Sequence, residues 1–77
     1  MAAKAFVLIQ TTSCKAREVI NDLKQLEGVK SVDSVAGPYD LIAIIEGENL
    51  TDIGDLITSK IQHVSRISRI VTCICLA

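Results

Sequence analysis

The spacing of apolar positions changes several times along this chain, and each change predicts an element. Ala5-Phe6-Val7-Leu8-Ile9 runs without polar alternation up to Gln10. So short an apolar run predicts a strand buried on both faces. Thr11-Thr12-Ser13 then offers a helix start, with Ser13 or Thr12 as N-cap. From Ala16 onward, Ala16, Val19, Ile20, Leu23 and Leu26 share one helical face, and Arg17, Glu18, Asn21, Asp22, Lys24 and Gln25 occupy the other. Gly28 follows, where a helix end often needs a left-handed backbone. Val29, Val32 and Val35 recur every three residues, so the second strand is expected to bulge or switch faces. Gly37-Pro38 ends it in a tight turn, Pro38 fixing its own φ and Gly37 free to take angles other residues avoid. Residues 40–46 form a third, strongly apolar strand. Gly47-Glu48-Asn49 interrupts it, with Asn49 as a cap. Ile53, Leu56, Ile57 and Ile61 predict a second helix. Gly54 inside that helix costs about 1 kcal/mol relative to Ala and is expected to let the helix approach the sheet. The last strand lies within residues 67–76.

The two halves echo one another. A shift of 35 residues lays Phe6-Val7-Leu8-Ile9 on Leu41-Ile42-Ala43-Ile44, and Leu26, Val29, Val32 and Val35 on Ile61, Val64, Ile67 and Ile70. Each half reads as a split βαβ unit, and two such units make an α+β, ferredoxin-like βαββαβ sandwich. Its product is a four-stranded antiparallel sheet with two helices on one face. Residues 1–77 then form a single domain. The strands are apolar on both faces, yet two helices cover only one. The other face would be a bare patch of roughly several hundred Å², more than a soluble monomer usually exposes. Packing that face on a second copy buries it with two-fold symmetry, so an obligate homodimer is expected.

Composition narrows the function classes. The chain has 77 residues, and a domain of that size buries only roughly 60–65 % of its unfolded surface, which favours help from a partner. Three Cys without a recognisable secretion signal argue against a disulfide framework and for a reducing, cytoplasmic setting. No apolar run nears the ~20 residues that a bilayer requires, so no membrane partner is expected. The net charge is -1 with both signs dispersed, which disfavours direct nucleic-acid binding.

The corner Gly37-Pro38-Tyr39-Asp40 holds the only Pro and the only Tyr of the chain. A turn accounts for Gly37 and Pro38 alone. Asp40 either bonds the backbone of its own turn or offers a carboxylate to a ligand. Tyr39 suits an oligomer contact or a pocket wall. Three segments together, Leu26-Glu27-Gly28-Val29, Val35-Ala36-Gly37-Pro38-Tyr39-Asp40-Leu41 and Ile70-Val71-Thr72-Cys73-Ile74-Cys75-Leu76, resemble the effector-binding (RAM) domain of the Lrp/AsnC regulators. The resemblance covers essentially the whole chain. It implies a stand-alone member without the family's helix-turn-helix, dimers joined through their sheet faces, and rings of four or five dimers, that is, an octamer or decamer. It further implies a small amino acid effector held between neighbouring dimers. Carried over by position, the ligand-binding residues are Gly37, Pro38, Tyr39, Asp40 and Thr72, with backbone groups of the corner meeting the ligand's amino and carboxylate groups. Ile70 stands where many members have a second Thr. A DNA-binding Lrp/AsnC relative is an expected partner.

Other chemistry is sparse. Cys73 and Cys75, two apart on one strand, share a face, but a closed metal site needs more ligands, and buried Cys acts as a small hydrophobe. Cys14 sits at a helix start without a second thiol or base beside it. His63 suits the C-terminal end of the second helix. Arg66 and Arg69 read as a small solvated basic spot. No nucleophile, base and stabiliser come together, and no phosphate loop, zinc motif or nucleotide fingerprint is present. The expected function is therefore a non-enzymatic effector-binding and oligomerisation module without cofactor or metal. It would regulate transcription or amino acid metabolism through a partner. The alternatives are a small enzyme of the dimeric α+β barrel type and a structural oligomer whose site has decayed.

Overall fold

The computed structural model describes residues 3–12, 16–64 and 66–75. Strand β1 (Ala3–Thr11) leads into helix α1 (Ala16–Lys24), then strands β2 (Val29–Ser34) and β3 (Leu41–Gly47). Helix α2 (Leu50–Ser59), a 3-10 turn at Ile61–His63 and strand β4 (Ile67–Ile74) complete the chain. The sheet order is β2-β3-β1-β4 and every neighbouring pair is antiparallel. This is the expected βαββαβ, ferredoxin-like sandwich.

The register explains why the central strands carry no polar residues in their middles. Ala5, Val7 and Ile9 of β1 stand opposite Ile45, Ala43 and Leu41 of β3, and all six are fully buried. They form one core with Val19 and Leu23 of α1, Val32 of β2, Ile53, Leu56 and Ile57 of α2, and Ile61. The alternate residues face away. Phe6 pairs with Ile44 on one side and Cys73 on the other, and Leu8 with Ile42 and Val71. These six line a second apolar surface, and all but the exposed Cys73 are half-buried.

Local signals worked as chemistry dictates in most places. Gly28 takes a φ of +98° and lets the chain turn from α1 into β2. The threefold Val spacing becomes a register shift between Val29 and Ser31, which keeps Val32 in the core and leaves Val35 exposed. Asn49 caps α2 by accepting from the Asp52 N–H at 2.9 Å, and Asp52 Oδ2 accepts from the Glu48 N–H at 3.3 Å.

Thr12, one cap candidate, donates to the Arg66 carbonyl through both its N–H and its hydroxyl. Ser13, the other cap candidate, and Cys14 lie outside the described residues. Three expectations change. Gly54 is exposed, and an added Cβ would meet nothing within 4 Å, so it does not bring α2 closer to the sheet. Gly37 takes no positive φ, so the turn does not depend on left-handed geometry there. Cys73 is exposed on the outer sheet face rather than buried within the chain.

Candidate functional site

The corner between β2 and β3 is built around Asp40. Its N–H donates to the Ile9 carbonyl at 2.9 Å, and its own carbonyl accepts from the Val35 N–H at 2.9 Å. Its carboxylate oxygen Oδ2 accepts from the Thr11 N–H at 2.8 Å and from the Thr11 hydroxyl at 3.0 Å. One residue therefore closes the loop at its base and ties it to the end of β1. The Asp40 carboxylate thus bonds the end of the neighbouring strand instead of the backbone of its own turn. The reason is local. The β1–β3 ladder runs to the Ile9–Leu41 pair and ends there. A buried or half-buried N–H left without an acceptor is costly, and the Asp side chain supplies one to Thr11.

Beyond that base, Ala36, Gly37 and Pro38 are exposed and Tyr39 is half-buried. Among the described residues, none of the backbone groups from Ala36 to Tyr39 makes a hydrogen bond. The excursion thus presents N–H and C=O groups at the protein surface.

Thr72 lies elsewhere. It is half-buried on β4, opposite Val7, and the alternation places it on the core side of the sheet. β1 separates β4 from β3, so Thr72 and the corner are roughly 10 Å apart or more within one chain, from strand spacings alone. Gly37, Pro38, Tyr39 and Asp40 come together; Thr72 does not join them in the same chain. Ile70, opposite Ile9, packs against the core.

The sequence reading did not assign Thr11, Thr12, Glu18 or Arg66 to this region. Thr12 holds the Arg66 carbonyl by its N–H at 2.8 Å and by its hydroxyl at 3.3 Å. Arg66 has a φ of 73°, which is unusual for a residue with a side chain. Its Nε pairs with Glu18 Oε2 at 2.9 Å, with both side chains about half exposed, so the pair adds at most about 1 kcal/mol. Arg66 is therefore anchored rather than simply solvated. The available signal was the Thr-Thr pair at the end of an apolar strand, whose hydroxyls suit strand-end bonding as well as helix capping.

Two surface hollows among the described residues lie away from the corner. One of about 580 Å³ is lined by Glu27, Gly28, Lys30, Glu46, Gly47, Glu48 and Asn49, at the opposite end of β3. Another of about 300 Å³ runs along the start of β4, by Gln62, Ile67, Ser68, Arg69 and Ile70. His63 is exposed on the 3-10 turn. No cluster of three or more His, Cys, Asp or Glu suited to a metal occurs among the described residues. No helix among them is long and apolar enough to cross a membrane.

Known proteins share this architecture. The chain is 28 % identical over 75 residues to an uncharacterized HTH-type transcriptional regulator of Pyrococcus horikoshii, covering 94 % of this chain and 50 % of the relative. The chain thus spans about half the length of the curated relatives it matches. A crystal structure of a hypothetical protein from Pyrococcus horikoshii is 36 % identical with a TM-score of 0.91, covering all of this chain and 92 % of that one. The feast or famine regulatory protein from M. tuberculosis, solved as a complex with L-methionine, shares the fold at 24 % identity and a TM-score of 0.81, covering 97 % of this chain and 50 % of that one. The model of the Lrp/AsnC ligand binding domain matches residues 4–77. With that match over nearly the full length and with the βαββαβ sheet in place, the chain belongs to the Lrp/AsnC ligand-binding domain family.

Proposed function

We propose that this domain is a non-enzymatic effector-binding and assembly module. It binds a small amino acid and acts on transcription or amino acid metabolism through a partner, a DNA-binding relative in the first instance. The observation that carries the reading is the corner itself: a loop fixed at its base by Asp40, with Gly37 and Pro38 exposed, Tyr39 half-buried, and the backbone groups of all three unbonded among the described residues. A zwitterion needs donors for its carboxylate and acceptors for its ammonium, and such a loop offers both without charged side chains. The L-methionine complex of the M. tuberculosis regulator supports the ligand class.

Assembly completes the site. The apolar surface of Phe6, Leu8, Ile42, Ile44, Val71 and Cys73 is covered by the same surface of a second copy. Dimers then join into an octamer or decamer, where the corner of one chain meets Thr72 of a neighbour. Within one chain these residues stand apart with β1 between them, which is the arrangement a seat shared between subunits requires. Ile70 is committed to the core, so Thr72 alone offers a hydroxyl from that stretch of β4. A ligand touching two dimers favours the assembled state, and its binding shifts the oligomer populations.

Thermal-shift screening of the twenty amino acids against the assembled protein, followed by calorimetry of the positives, tests this reading. A small subset is expected to raise the melting temperature and to sharpen the sedimentation profile. Absence of any response from a properly assembled sample contradicts it.

A further inference from the structure

We propose that Asp40 is a positioning residue for the corner, acting through Thr11, and is not the residue that pairs with a bound ammonium group. The ligand half of this inference rests on the effector reading above; the structural half stands on hydrogen bonds alone.

Three features lead to it. First, the Oδ2 of Asp40 is already shared between two donors of Thr11, at 2.8 and 3.0 Å, in a half-buried setting. Second, the β1–β3 ladder ends at the Ile9–Leu41 pair, and beyond it the Asp40 carboxylate supplies the Thr11 N–H with an acceptor. Third, the same residue closes the loop through the Val35 N–H to its own carbonyl and joins it to β1 through its N–H to Ile9. Asp40 thus binds the corner to β1 on one side and shuts it on the other. The groups left to face outward are the backbone of residues 36–39.

Thr11 also leads directly into Thr12, which holds the carbonyl of Arg66 in its left-handed conformation at the start of β4. The placement of the corner and the entry into β4 are therefore referred to the same two residues. A shift of Asp40 would move the loop relative to the strand that carries Thr72.

The test separates charge from position. Asp40→Asn discards the charge but keeps an oxygen acceptor where Oδ2 lies. Asp40→Glu keeps the charge but displaces it by one methylene. Amide hydrogen exchange of Thr11 and Val35, read by NMR on the assembled protein, is the ligand-free measurement. Both amides are expected to exchange about tenfold or more faster in Asp40→Glu than in wild type, with Asp40→Asn between the two. For any amino acid that wild type binds, affinity is expected to rank wild type, then Asp40→Asn, then Asp40→Glu. The reverse order of the two variants, with Asp40→Glu the better binder, identifies a charge partner and overturns the proposal. Equal Thr11 exchange in all three proteins also overturns it. If wild type binds no amino acid, the effector reading fails, while the exchange ranking still decides whether Asp40 positions the corner. Thr11→Val provides an independent variant: it removes the 3.0 Å hydroxyl bond, and faster exchange at Val35 is expected. Unchanged exchange there counts against the link through Thr11.

Discussion

Ile9 and Leu8 are neighbours in sequence and opposites in environment. Ile9 is sealed between Leu41 and Ile70 under the helices, while Leu8 lies half-buried between Ile42 and Val71 on the uncovered face. The two faces of the same strands are about equally apolar, yet the chain supplies a cover for only one. The inner face is a folding problem that the helices solve. The outer face is left uncovered by the described residues of one chain, and the proposed second copy is its cover.

The largest effect is expected from breaking the inner face. Ile9→Ala should cost about 3–4 kcal/mol, a large share of the stability of a small domain, and should do so at every protein concentration. Chemical denaturation over a range of concentrations reads it. The outer face should respond differently. Ile42→Asp places a charge at the middle of the proposed interface, and self-association is expected to weaken by at least about a hundredfold. Sedimentation should show smaller species, and the melting temperature should lose its dependence on concentration.

Two glycines extend the same contrast of enclosed and open positions. At Gly28, with φ at +98°, an added Cβ would approach Leu56 Cδ2 at 3.1 Å and the Glu46 carbonyl at 3.3 Å. Gly28→Ala should destabilise by about 1–2 kcal/mol. Gly54→Ala, on the open side of α2, should instead stabilise by roughly 0.5–1 kcal/mol. Thermal melts at one fixed concentration decide both, and opposite signs are required.

The fold was legible because its signals are periodic or positional. Helical spacing marked Val19 and Leu23, Ile53, Leu56 and Ile57, and the valine spacing revealed the bulge in β2. Gly28 and Asn49 announced their roles by type and place. The partners of Asp40 and Arg66 were hidden because they are long-range. Thr11 and Asp40 lie 29 residues apart, and Thr12 and Arg66 lie 54 apart. A threonine pair reads equally well as a cap or as a strand end until the fold brings its acceptors near. Gly54 misled for a related reason, since a glycine in a helix marks a close approach only when its face is turned inward.

Sedimentation equilibrium of the wild-type domain across dilution into the micromolar range tests most directly whether the outer sheet face is covered by another copy. The account predicts a species no smaller than a dimer, folded throughout, with Ile42→Asp shifting it downward. A folded, stable single chain at those concentrations would contradict it.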